Sequence, residues 1–281
     1  MKLSGKRNFG GGVSNPQKPG WQAFSRLDLM VVMGVTLFLG LWLGGKYTGE
    51  RARIARCTSN LEMLGQAMHS YAIDHNGELP AAVIDLGHTH ITWDTKLFPY
   101  LKPHTGPVTN ETEDRKQAME LAHWFWCPSD TLPRTGHPRS YAMAEHDMTL
   151  NDWPPSSHSY SGPGLFWDSF WTTNVLSADE AKEAALNPDL LPKIKLSDIP
   201  APADTLLATE YINRDNDLKD MGYARVGSVN DQRAAFHGDS SSFHYGKFNY
   251  LMVDGHVEFL SGEQTGSPGG RSGIWSIMSG D

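Results

Sequence analysis

The 281-residue chain is long enough for one or two domains, and its 39% hydrophobic residues supply a real core. Its 17 Pro, 28 Gly and 9 Trp point to a loop-rich, β-containing body and against a helical bundle. The net charge of −8 is a balance: residues 1–57 hold nine basic and two acidic residues, net +7, and the remainder holds 15 and 30, net −15. An acidic body lacks the basic face that meets phosphates, which excludes nucleic acid as a partner, while the split implies that the two ends face different surroundings.

The chain opens with a basic leader over residues 1–23 carrying Lys2, Lys6, Arg7 and Lys18. From Leu29 to Gly45 run 17 residues without a charge, the lower limit for a membrane-spanning helix. A transmembrane segment is therefore expected over 27–47, with Trp42 and Lys46 at the far interface. The basic bias before it places the N-terminus in the cytoplasm and the body outside.

The pattern then changes without a break. Ile54, Cys57, Leu61, Leu64, Met68 and Tyr71 recur at three- and four-residue spacing, with Arg53, Arg56, Asn60, Glu62 and Gln66 between them. That is an amphipathic helix with one apolar stripe. His75-Asn76-Gly77 with Pro80 supplies the stop. One long helix is thus expected over 24–78, apolar all round in its first half and packed on a globular body by one face of its second.

A basic leader, an apolar half-helix, an amphipathic half-helix and a β-rich body together resemble type IV pilins and type II secretion pseudopilins. Their N-terminal methylation motif usually reads G-F-T-L-I-E, with cleavage after Gly by a prepilin peptidase. Here Ala23-Phe24-Ser25-Arg26-Leu27-Asp28 occupies that place. The resemblance implies Phe24 as the new N-terminus and Asp28 as the acidic fifth residue. Ala23 for Gly, Asp28 for Glu and Arg26 in the apolar start depart from the pattern. An uncleaved signal anchor has the same topology.

The body is expected over 79–262, built on an antiparallel β-sheet with long loops, so the fold class is α+β. A short charged helix is expected over 110–121, and an aromatic strand at Trp124-Phe125-Trp126-Cys127. A Ser/Pro/Gly loop follows over 154–164. Ser177 with Glu180 three residues on reads as a capping box that starts a helix. Thr205–Tyr211 reads as a strand. Asn249–Val253 and His256–Leu260 read as two strands around the two-residue turn Asp254-Gly255. That register pairs Met252 with Val257 and Tyr250 with Phe259. Residues 263–281 are Gly/Ser-rich and read as a flexible tail.

His244 is followed by nine residues and then Asp254-Gly255. This is similar to the H-X9-DG signature of a large bacterial family of prepilin-like proteins with a domain of unknown function. Other pieces fit in order. Cys57-Thr58-Ser59-Asn60-Leu61 with Gly65-Gln66-Ala67 is similar to that family's C-x-N-N-L-K-Q-I-G segment. Cys127-Pro128-Ser129-Asp130 and Ser140-Tyr141-Ala142-Met143 resemble its C-P-S-D and S-Y-x-x-N pieces, and Asp204-Thr205-Leu206-Leu207 with Glu210 resembles its strand before the last hairpin. The resemblance implies a pseudopilin-like structural protein, not an enzyme. Its expected setting is the bacterial inner membrane, single-pass, with a periplasmic or extracellular body. The expected partners are the membrane, other copies or pseudopilins, and the prepilin peptidase. The alternative is an anchored binding module that recognises carbohydrate or another envelope component through Trp124/Trp126 and Phe166/Trp167/Phe170/Trp171.

Cys57 and Cys127 are the only cysteines. In an extracytoplasmic protein they form either a disulfide or two buried free thiols. His237, His244, Asp254 and His256 invite a metal reading, but one straight strand between His244 and Asp254 would separate them by about 20 Å. Asp254-Gly255 is then turn chemistry, and His244 is expected to hydrogen-bond a loop backbone. Asp215, Asp217 and Asp220, with Asn213 and Asn216, form an oxygen-rich loop of the kind calcium favours, although without EF-hand spacing. No cofactor is expected otherwise, because no P-loop, dinucleotide or hydrolase framework is present.

Overall fold

The computed structural model describes residues 26–87, 90–101, 120–146, 162–235, 243–266 and 273–277, with the side chains of 26–28 and 41–48 also outside the described set. The chain divides into two units, Met1–Tyr47 and Thr48–Asp281. The long helix α1 (Arg26–Asp74) begins in the first and continues into the second. Leader residues 1–23, Ala23 and Phe24 lie outside the described residues, as does the Asp28 side chain. Residues 110–119 of the expected charged helix and 154–161 of the expected loop do so too. Leu29, Met30, Val31, Val32, Met33, Val35, Leu37, Phe38 and Leu39 are exposed. Among the described residues no helix is long and apolar enough to cross a membrane. The span expected over 27–47 includes 27–28 and 41–47, whose side chains are outside the described set.

The second half of α1 carries the stripe that its spacing predicts. Cys57, Leu61, Leu64, Ala67, Met68, Tyr71 and Ala72 are all buried. The helix stops where Asn76 and Gly77 take positive φ of 54° and 84°, and the Gly77 amide returns to Ala72 O at 2.8 Å. Asn60 departs from the pattern. It is buried among the apolar residues and donates to His123 O and Trp126 O at 3.2 and 2.9 Å. These bonds satisfy free carbonyls at the end of the next helical segment.

That segment spans 120–125, so Trp124 and Phe125 are helical, where an aromatic strand is expected from their side chains alone. Aromatics suit a strand by propensity, but propensity yields to packing. Phe125 is fully buried, 5.7 Å from Trp93 and 5.9 Å from Phe98 between ring centroids.

The body is α+β, with residues 49–74 of α1 packed against two mixed sheets. The smaller has order β2-β1-β4, from β1 (Val83–Asp85), β2 (His90–Thr92) and β4 (Phe166–Asp168). The larger has order β6-β3-β5-β7-β8, from β3 (Tyr141–Ala144), β5 (Leu206–Glu210), β6 (Arg225–Val226), β7 (Phe248–Met252) and β8 (Val257–Leu260). An all-antiparallel sheet is the expectation, yet β1 with β4 and β3 with β6 run parallel. Hairpin signals report only neighbours in sequence, whereas these partners are joined by long connections that return the chain in either direction. β5 is buried along its whole length, so it is the central strand. Gly65 lets α1 approach β7: a Cβ there would lie 2.9 Å from Leu251 Cδ1.

Two further expectations are corrected. The last hairpin pairs Tyr250 with Glu258 and Leu251 with Val257, one residue away from the two-residue-turn register. Val253 is drawn into the turn by tertiary bonds: its amide donates to Thr205 O at 2.9 Å, and its carbonyl lies 2.8 Å from His69 Nε2. Gly255, at φ 97°, closes the resulting three-residue loop. The expected flexible tail over 263–281 is docked where it is described: Trp275 and Ile277 are buried, and Trp275 meets Tyr250 edge-on at 6.2 Å. Two apolar side chains outweigh the Gly/Ser-rich background. The capping box at Ser177 stands as its sequence predicts, at the start of helix Ala178–Leu186.

If Trp275 is core, Trp275→Ala should lower stability by about 3–5 kcal/mol in denaturant titration. A truly free tail residue would change it by less than about 0.5 kcal/mol.

Candidate functional site

The signature histidine sits at the centre of a buried polar cluster. His244 and Tyr245 occupy the left-handed region at φ 44° and 61°, a conformation that costs energy in non-glycine residues and persists only where surroundings impose it. Here the surroundings are two carboxylates. His244 Nδ1 lies 2.7 Å from Glu50 Oε1 on α1, and Nε2 lies 2.9 Å from Glu210 Oε1 at the end of β5. Both nitrogens face acceptors, which is the geometry of an imidazolium donating twice. The expected bond from His244 to loop backbone is thus replaced by two charged partners.

Glu210 is fully buried, and each oxygen is satisfied. Its Oε1 also accepts from Asn249 Nδ2 at 3.0 Å, and its Oε2 accepts from the Asn249 amide at 2.7 Å. Asn249 Oδ1 in turn accepts from Thr58 of α1 at 2.8 Å. Glu50 is held by Ser129 Oγ at 2.8 Å and Arg53 at 3.3 Å. Burial alone would lower the His244 pKa; the charge and hydrogen bond of Glu210, then those of Glu50, outweigh it and hold it above the ordinary value. Partial burial would raise Glu50, but its bonds from Ser129 and His244 hold it below.

Cys57 and Cys127 form a disulfide beside this cluster, joining α1 to the C-P-S-D turn across 70 residues of sequence. His244 Nε2 lies 3.4 Å from Cys127 Sγ. The turn is built by Asp130, whose Oδ2 accepts from Ser140 Oγ at 2.7 Å and meets Arg134 at 2.8 Å. Ser140 Oγ accepts from the Cys127 amide at 3.0 Å. The C-P-S-D and S-Y pieces therefore pack on each other. Among the described residues, ligand-type atoms of Cys57, Cys127, Glu210 and His244 all converge within 4.8 Å of one another.

Asp254 and Gly255 lie elsewhere, in the hairpin turn. Asp254 Oδ1 accepts from the His256 amide and faces His256 Nδ1 at 2.6 Å. These two motif residues are turn chemistry, as their spacing predicts. Among the described residues, Asp215, Asp217 and Asp220 are not part of that convergent group. Their loop is fastened to cationic side chains instead. Buried Arg139 donates to Asp220 O at 2.7 Å, to Asn216 Oδ1 at 2.8 Å and to Asp94 Oδ1 at 3.0 Å. Burial pushes the Asp217 carboxyl up despite the nearby Arg134. The aromatics of the carbohydrate alternative do not share one fate: Trp167 is fully buried, Trp124 lies under Arg56, and Trp126 and Phe170 are exposed.

A family model described as a protein of unknown function (DUF1559) matches residues 49–199. The chain belongs to this prepilin-type H-X9-DG family. The matched segment includes Glu50, Cys57 and Cys127; Glu210, His244 and Asp254 lie beyond it. No curated protein and no solved structure matches the chain.

Sequence reading did not single out Glu50 as a partner of His244, or Ser129 and Asn249 as the groups that hold the two carboxylates, and placed Glu210 only within a strand. A charged residue ending an otherwise apolar strand is the one local signal available.

Two outcomes follow from the linkage. The raised His244 contributes stability that is complete below about pH 6.5 and lost as pH rises through its folded value. The lowered Glu50 contributes above about pH 4.5 and is lost as pH falls. His244→Asn, whose side chain tolerates left-handed backbone, should therefore lower the urea midpoint more at roughly pH 5.5 than at roughly pH 9; equal losses would contradict the network. Reduction in chelating buffer should cost about 4 kcal/mol, given the loop that the bridge closes, read as a fall in the same midpoint.

Proposed function

We propose that the chain is a membrane-anchored, pseudopilin-like structural component of a type II secretion or type IV pilus-like system, with a structural and not a catalytic role. The observation that carries this reading is the division of α1. Its Leu29–Leu39 side chains are apolar and exposed, whereas Cys57–Ala72 present one buried stripe. An uncovered apolar helix surface of this extent needs lipid or other protein to cover it. Membership of the prepilin-type family supports the same role. The basic leader and the uncharged run to Gly45 supply the anchor and its orientation. A disulfide between α1 and the body suits an oxidising compartment outside the cytoplasm.

The N-terminal residue of the mature protein, recovered from membranes, tests this directly. Phe24 is expected if the leader is processed; Met1 would leave a plain anchor, in which Asp28 is not the fifth residue of a processed chain. Sheared surface filaments or purified pseudopili should also contain the chain. Its absence from them while the machinery is assembled would count against a filament role.

A further inference from the structure

The Cys57–Cys127 disulfide lies against the His244–Glu210 pair, and ligand-type atoms of all four residues lie within 4.8 Å of one another. Cys57, Cys127, Glu210 and His244 are all fully buried and arrive from four separate places: α1, the C-P-S-D turn, β5 and the left-handed turn Phe243–Gly246. Two sulfurs, an imidazole nitrogen and a carboxylate oxygen are the ligand types of a closed tetrahedral zinc site. With zinc–sulfur bonds of about 2.3 Å and zinc–nitrogen bonds of about 2.0 Å, a sulfur and a nitrogen on one tetrahedral ion lie about 3.5 Å apart. Cys127 Sγ and His244 Nε2 already lie 3.4 Å apart.

The surroundings match as well. A metal-bound histidine almost always gives its other ring N–H to a carboxylate or carbonyl, which fixes the tautomer. His244 Nδ1 faces Glu50 at 2.7 Å, so Nε2 is the nitrogen turned to the cluster. Glu210 is itself anchored by Asn249 through both oxygens. Glu50, which holds the other ring nitrogen of His244, is only partly buried.

We propose that, once the Cys57–Cys127 bond is reduced, the two sulfurs, His244 Nε2 and one oxygen of Glu210 bind a single divalent ion of the zinc class. A dithiol reductant supplies two electrons and two protons, becomes a disulfide itself, and leaves two cysteine thiols. Binding releases both thiol protons to solvent, and Nε2 gives up its own proton as its lone pair turns to the ion. Disulfide and ion are mutually exclusive. The ion ties four segments together where the disulfide ties two.

The test uses the full-length chain in detergent, reduced anaerobically with a water-soluble phosphine and titrated with Co2+, then Zn2+. Reduced protein should take up one Co2+ per chain, with thiolate charge-transfer and tetrahedral d–d bands that Zn2+ abolishes, while the oxidised protein shows none. Zn2+ should raise the Tm of the reduced chain, including the case in which reduction alone loosens the fold. Glu50→Gln, at the partly exposed rim, should weaken binding by roughly 10–100-fold, which separates a built site from thiols of an unfolded chain. Absence of thiolate–cobalt bands would overturn the proposal. So would no rise in Tm, equal binding by Cys57→Ser/Cys127→Ser, or unchanged affinity in Glu50→Gln.

Discussion

Glu210 ends the central strand with its carboxylate fully out of water, and the rest of the body is arranged around satisfying it. An isolated buried charge costs far more than any single packing contact returns. The protein answers with three donors, one of them a cation: His244 on Oε1, and Asn249 through its side chain on Oε1 and its backbone amide on Oε2. To reach that position His244 must take left-handed backbone. To stay charged it takes a second carboxylate, Glu50, from α1. One buried acid thus ties together β5, β7, the turn before β7 and the long helix.

This polar tie and the apolar stripe of α1 have different jobs. Burial of Leu61, Leu64, Met68 and Tyr71 supplies non-directional driving force. It does not specify where along its axis the helix stops sliding over the sheet. Directional bonds do: Thr58 to Asn249, Asn60 to His123 and Trp126, His69 to Val253, and Glu50 to His244 are spaced along the same helix. The Cys57–Cys127 bridge falls among them.

The family motifs gain a physical meaning from this arrangement. The histidine of H-X9-DG is a charge partner, and the Asp254-Gly255 pair is a turn that sets the length of the last hairpin. The C-P-S-D turn places Cys127 and also delivers Ser129 to Glu50. The S-Y piece supplies Ser140, which holds Asp130 and the Cys127 amide. Apart from Asp254-Gly255, motifs that are far apart in the chain are neighbours around one cluster.

Local chemistry was legible in the sequence wherever a rule involves residues a few positions apart. The α1 stripe follows from 3.6-residue periodicity, the stop at Asn76-Gly77 from backbone freedom, and the helix at Ala178–Leu186 from its capping box. The central strand Leu206–Glu210 follows from its apolar run. Pairings between distant segments had no such signal. The parallel partners β1 with β4 and β3 with β6, the docked Trp275, and the helical Trp124-Phe125 each depend on what else is near in space. The hairpin slipped by one residue because Val253 is claimed by Thr205 and His69, which no turn rule includes. Sequence periodicity therefore determined the helix and the apolar faces. Only the tertiary structure decided that Glu50, Glu210 and His244 meet, because satisfaction of a buried charge is a constraint on three dimensions and leaves no period in the chain.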